Sequence, residues 1–352
     1  MTETLLIRAD SGPAIGDGHV ARCFALAQAW RDAGGTFTFA GSIGGGRLAQ
    51  RIREESGEIV PLAAGPEDPG DPEEVLSLAE RIRPAWIVLD GYFFDPMYQE
   101  AVSRSDIPLL LLDDDARWPS YFATVLLNQN IGAAELPYRF PRPVETLFGT
   151  RFALLRREFR SRDARPEPDR EALRVLVTLG GADPDNVTGL VLEALSRVLV
   201  RGLAITAVAG ASNPHRDELR DAVRSFSGAV ELLEDVPDMA ALMARADVAV
   251  SAAGSTCWEL CSLGVPAVAI VLAANQEGIA RGLEKAGAAA NLGSASKWTA
   301  ESLAEAMRPL LEDPEWRRTA SRNGRELVDG QGAPRVAARM REWKDRGERR
   351  CG

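Results

Sequence analysis

At 352 residues the chain exceeds what one hydrophobic core usually supports, so two domains are expected. An apolar share of 45% and a charged share of 26% are those of an ordinary globular protein, and a net charge of −10 argues against non-specific nucleic-acid binding. No stretch approaches the ~18 apolar residues of a membrane span, and the first residues lack the basic and apolar regions of a signal peptide, so a cytoplasmic protein without a membrane partner is expected.

Thr4 to Arg8 reads as a strand, and Val20 to Ala33 as a helix whose Val20, Cys23, Phe24, Ala27 and Trp30 form one apolar stripe. Thr36 to Ala40 is a second strand, followed by the loop Gly41 to Gly46. Trp86 to Leu89 and Leu109 to Leu112 are short apolar runs ending in acidic residues, as buried parallel strands that deliver polar groups at their C-terminal ends do. Between Arg156 and Arg174 two prolines and many charges signal a linker. A second series then places strands at Arg174 to Leu179, Ala204 to Ala209, Asp247 to Ser251 and Ala267 to Leu272. Helices fall at Asn186 to Leu199, Met239 to Ala244 and Thr256 to Leu263. The pattern predicts an α/β chain of two parallel-sheet domains, with its site in the cleft between facing strand-end loops.

Four loops carry candidate chemistry. In the first, Gly12, Gly16 and Gly18 lie between a strand and a helix that opens near His19. Glycines let a backbone approach a ligand closely, and free N–H groups at a helix start favour an anion. The spacing is neither a dinucleotide fingerprint nor a Walker A loop. Imidazole relays protons near neutral pH, so His19 is the candidate catalytic residue, with Asp10 to orient it and Arg22 to meet a phosphate or carboxylate. A capping or packing histidine is the alternative. The second loop, Gly180-Gly181-Ala182-Asp183-Pro184-Asp185-Asn186, suits a pyrophosphate or a plain strand–turn–helix junction. In the third, Gly254, Ser255 and Thr256 can hold a diphosphate while Glu259 accepts from ribose hydroxyls. Thr256 and Glu259 also fit a capping box. In the fourth, Asn275 and Gln276 suit a sugar, a base or a turn.

Cys23, Cys257, Cys261 and Cys351 are too scattered for a disulfide framework, and Cys257 and Cys261 read as buried helix cysteines. His215 falls in a polar loop, and the basic tail Arg339 to Arg350 reads as a solvated helix face. With two histidines and no metal-binding motif, neither a metal nor a cofactor is expected.

Gly16-Asp17-Gly18-His19-Val20-Ala21-Arg22 follows Arg8-Ala9-Asp10-Ser11, and Asp90-Gly91-Tyr92 comes later. Asp113-Asp114-Asp115, Leu127-Asn128-Gln129-Asn130, the stretch Phe152 to Phe159 and the three second-half loops complete an order running from residue 8 to about 293. In this combination the chain resembles the UDP-2,4-diacetamido-2,4,6-trideoxy-β-L-altropyranose hydrolase family of the pseudaminic acid pathway, within the GT-B superfamily. The resemblance implies a GT-B fold, two Rossmann-like parallel-sheet domains facing a central cleft. It also implies metal-independent hydrolysis of a UDP-linked amino or deoxy sugar, with inversion and release of UDP. His19 would be catalytic, Tyr92 would lie near the sugar, Glu259 with Ser255 and Thr256 would hold the uridine diphosphate, and Asn275 and Gln276 would line the cleft. The family usually has histidine where this chain has Gly91. The expected division is 1–160 for the histidine domain, 161–172 for the linker, 173–330 for the UDP domain, and 331–352 for a helix packing back across the cleft. A GT-B glycosyltransferase using a UDP-sugar donor and a non-catalytic sugar-nucleotide-binding protein are the alternatives. The sequence is silent on oligomeric state.

Overall fold

Strands that are apolar on both faces need helices on both sides, and Leu5 to Ile7, Trp86 to Leu89 and Leu109 to Leu112 are buried throughout. In the computed structural model they form the middle of a parallel sheet in the first of two units, residues 1–157 with 330–352; the second unit is 158–329. The structure describes residues 2–351 except 13, 14, 45, 66, 161–172, 199, 211, 212 and 235. The linker expected over 161–172 therefore lies outside the described residues.

The first unit runs β1 (Thr4–Ala9), α1 (Gly18–Asp32), β2 (Thr36–Ala40), α2 (Arg47–Glu54), β3 (Glu58–Val60), α3 (Asp71–Ile82), β4 (Trp86–Asp90), α4 (Pro96–Ser103), β5 (Leu109–Leu112), β6 (Val125–Asn128) and β7 (Glu145–Phe148). Among the described residues its sheet has the order β3-β2-β1-β4-β5-β6-β7, every pair parallel. The second unit runs β8 (Leu173–Thr178), α5 (Val187–Ser196), β9 (Leu203–Ala209), α6 (Arg216–Ser225), β10 (Ala229–Glu234), α7 (Met239–Ala244), β11 (Val248–Ala252) and α8 (Thr256–Leu263). It continues with β12 (Ala267–Val271), α9 (Glu277–Lys285), β13 (Ala289–Ser294), α10 (Ala300–Glu312) and α11 (Pro314–Leu327). Its parallel sheet has the order β10-β9-β8-β11-β12-β13.

In both sheets the strand order reverses beside the first strand, between β1 and β4 and between β8 and β11. Ligands of open parallel sheets bind beyond the carboxyl ends at such switch points. The first turn of α1, after β1, carries His19 and the loop after β4 carries Tyr92; the loops after β8 and β11 carry Gly180 and Ser255.

The expected stripe of α1 is buried, and so are Ala25 and Leu26 off that stripe. The reason is the last helix, α12 (Gly332–Cys351), which belongs to the first unit and packs on α1. Its Ala333, Val336, Ala337 and Met340 join the α1 core, Trp343 meets Trp86 edge-on at 5.4 Å, and Arg339 pairs with Glu145 of β7 at 2.5 Å. Gly332 starts this return where a Cβ would collide with the backbone of Ala153. Gly332→Ala is expected to lower stability by about 1–3 kcal/mol, the range for overpacking. The midpoint of urea unfolding checks it, and an unchanged midpoint would show that the junction relaxes freely.

Candidate active site

Parallel pairing sets Ala9 of β1 beside Asp90 of β4, so the Asp90 carboxylate emerges where the glycine loop leads into α1. His19 Nδ1 lies 2.7 Å from Asp90 Oδ1. Arg22, one helical turn on, donates to both Asp90 oxygens at 2.7 Å and to Asp114 Oδ1 at 2.8 Å. Asn130 Nδ2 also donates to Asp114 Oδ1, at 2.8 Å. Burial alone would raise the Asp90 carboxyl, but Arg22 and then His19 hold it well below the usual carboxylate range. An ionised carboxylate only accepts, so His19 Nδ1 carries the proton. Its Nε2 has no partner among the described residues, and the ring lines a small cavity with Gly91, Tyr92, Asp114 and Arg117. Tyr92 stands edge-on to His19 at 4.7 Å, and the Arg117 guanidinium covers the Tyr92 ring at 4.4 Å while pairing with Asp115.

Two assignments change here. Asp10 does not orient His19: its Oδ2 accepts from Arg8 at 2.6 Å and its Oδ1 from the Ser42 N–H at 2.7 Å. Arg8 in turn pairs with Asp71, which also accepts from the Tyr98 hydroxyl. Asp10 therefore pins the loop after β2, and Asp90 takes the orienting role. Arg22, for its part, meets two carboxylates of the protein itself. Gly16 (φ 76) closes a tight turn by donating to the Gly12 carbonyl at 2.7 Å, and Gly18 opens α1 behind Asp17, which makes no side-chain cap. A Cβ at Gly91 would lie 3.1 Å from Phe94 Cε2, so a larger residue there must displace a buried ring.

The loops of the second unit divide. After β8, Gly180 adopts φ 97, and the close approach of Gly210 to the Gly181 backbone leaves no room for a side chain at Gly210. The polar residues of this loop serve the helix: Asp183 accepts from the Val187 and Thr188 N–H groups, each at 2.9 Å, and Asn186 accepts from the Gly189 N–H. Asn186, expected to bind substrate, is the N-cap of α5. Asp183→Ala is expected to cost about 1–2 kcal/mol, the upper range for a lost cap; a thermal unfolding midpoint within error of the parent would refute it. After β11 the reverse holds. Ser255 is the N-cap of α8 without a side-chain cap bond, which removes the capping box read at Thr256 and Glu259. The Ser255 and Thr256 hydroxyls have no partner among the described residues. Gln276 lies beside Gly254 and accepts from the Leu272 N–H through Oε1. Glu259 follows in the first turn of α8, and Asn275 precedes Gln276 in a short 3₁₀ turn.

Burial pushes the Cys257 thiol up to about 12, and Cys261 is raised by the same cause. His215 is not idle in solvent: its Nε2 contacts the Pro184 carbonyl at 2.8 Å and its Nδ1 lies 3.3 Å from Glu218. Among the described residues no helix is long and apolar enough to cross a membrane.

Residues 174–336 match the glycosyltransferase family 28 C-terminal domain. The spore coat polysaccharide biosynthesis protein SpsG of Bacillus subtilis is 30% identical over 174 residues, 49% of this chain and 51% of that protein. The chain spans about half the length of the curated relatives it matches, 51% and 55%. Among solved structures, Acinetobacter baumannii MurG aligns over 97% of this chain and 100% of its own, with 16% identity and a TM-score of 0.69. A structure of S. aureus MnaA with UDP aligns over 98% and 97%, with 13% identity and a TM-score of 0.68. The fold is thus the two-domain α/β fold of GT-B type: the sequence pattern predicts the two parallel-sheet domains, and the resemblance implies the GT-B type. The expected sugar-nucleotide hydrolase of the pseudaminic acid pathway is overturned, because the domain matched is that of a glycosyltransferase family.

Proposed function

We propose that the chain is a glycosyltransferase that moves a sugar from a uridine diphosphate donor to an acceptor hydroxyl, with His19 as the base. The observation that carries the reading is the family 28 domain match over 174–336. The His19–Asp90 pair supplies its chemistry. The acceptor O–H gives its proton to His19 Nε2 as its oxygen attacks the anomeric carbon. The bond from that carbon to the diphosphate oxygen breaks, and its electron pair leaves with the diphosphate. Asp90 stabilises the imidazolium that forms, and the growing charge on the leaving group needs donors already in place. Ser255, Thr256 and Gln276 Nε2 fit that second task, because the protein does not use their side-chain donors itself. Glu259 suits the ribose hydroxyls, and Asn275 stands beside Gln276. The name of the B. subtilis relative suggests a surface polysaccharide as the setting.

Incubating the full chain with a panel of UDP-sugars, with and without a pool of acceptor sugars, tests the reading. UDP release should depend on acceptor and be matched by a new glycoside in the mass spectrum. Equal release without acceptor, with free sugar as the sole product, would overturn it.

A further inference from the structure

We propose that Asp114 makes the His19 cavity selective for an amine-bearing sugar over an anionic one. The proposal rests on the glycosyltransferase reading only for what the bound sugar is used for.

Most of the acidic groups around the cavity are already engaged. Asp113 accepts from Tyr138 at 2.6 Å and Tyr121 at 3.1 Å, and from the backbone N–H groups of Asp115 and Ala116. Asp115 accepts from Arg117 through both oxygens, and Asp90 is held by Arg22 and His19. Asp114 differs. Its Oδ1 takes both Arg22 and Asn130, which leaves Oδ2 without a partner among the described residues. Its side chain, 13% exposed, lines the same cavity as His19, whose side chain is 8% exposed and whose Nε2 is also unpartnered.

Charge decides what enters. The carboxylates of Asp90, Asp113, Asp114 and Asp115 outnumber the guanidiniums of Arg22 and Arg117, and both guanidiniums are already paired with them. The surplus acts on Asp113, whose carboxyl is raised first by burial and further by the charges of Asp115 and Asp114, against its hydrogen bonds. A phosphate or carboxylate would face the open Oδ2 and be repelled, whereas an ammonium would donate a charge-assisted hydrogen bond to it. Tyr92 and Trp118 supply aromatic walls to the same cavity.

The chain has two histidines, so ¹⁵N-histidine labelling with His19→Ala as the assignment control gives one signal set for His19. Titrating the full chain below the amine's pKa with glucosamine, glucose and glucuronate should shift the His19 signals. Glucosamine should bind about 10-fold more tightly than glucuronate, a difference of about 1.4 kcal/mol. Asp114→Asn should collapse that ratio toward unity, and Asp114→Glu, which keeps the charge, should restore most of it. Glucuronate binding as tightly as glucosamine, no shift with glucosamine, or an unchanged ratio in Asp114→Asn would each overturn the proposal. Acceptor-independent UDP release would defeat the glycosyltransferase reading while leaving this ratio untouched.

Discussion

His19→Ala and His19→Asn proteins are expected to lose about 10²–10⁴-fold in donor turnover, the share that a positioned general base contributes. The effect should appear in kcat measured as UDP release at saturating acceptor, with donor KM little changed. The proposed donor groups, Ser255, Thr256 and Gln276, belong to the other unit. Stability should change little, because removing the imidazole leaves Asp90 still held through both oxygens by Arg22. No buried charge is stranded. Unchanged turnover in either variant would end the assignment of His19 as the base.

What could be read from the sequence follows from how local each signal is. Thr36–Ala40, Leu109–Leu112, Met239–Ala244 and Thr256–Leu263 agree with the structure to the residue, and most have a breaker at one end or both: Gly35 and Gly41 around the first, Pro108 before the second and Gly264 after the last. Several helices are not read from the sequence; of these, α2 and α6 bury little, Ala49 and Ile52 in one and Leu219 in the other, so their patterns carry few apolar marks. The strands β3 and β10 are sheet edges, and half-exposed edges lose the continuous apolar signature of central strands. In the site, the glycine loop and His19 are legible because they are contiguous in the chain. The orienting carboxylate is not, since Asp90 lies 71 residues on and only the β1–β4 pairing brings it there. Its traces in the sequence are an acid ending the run Trp86 to Leu89 and the motif Asp90-Gly91-Tyr92, neither of which ties it to His19. The reaction is not legible in these residues for a related reason. Water and a sugar hydroxyl make the same demands on a base paired with a carboxylate, so those residues alone do not choose between them.

Asp90→Asn should be the most damaging single change in the first unit, both to activity and to stability. The amide can no longer hold His19 Nδ1–H against a fixed negative charge, so the tautomer that frees Nε2 loses its anchor, and turnover should fall by about 10²–10⁴-fold. Unlike the His19 variants, this one strands a charge: Arg22 is buried, and Asp114 alone would remain to balance it. Breaking a buried pair from one side costs about 3–5 kcal/mol. The pH dependence follows from the depressed Asp90 carboxyl. A folded-state pKa below the unfolded value of about 3.9 stabilises the native chain above that value, and the contribution is lost as pH falls toward the folded pKa. The parent protein should therefore lose stability on acidification below about pH 4, while Asp90→Asn, already weakened at neutral pH, should show a flatter acid limb. Urea unfolding midpoints measured across that range would compare the two. Parallel acid limbs would mean that Asp90 is not the carboxylate whose ionisation the fold depends on, and that the His19–Arg22 cluster is held by other contacts.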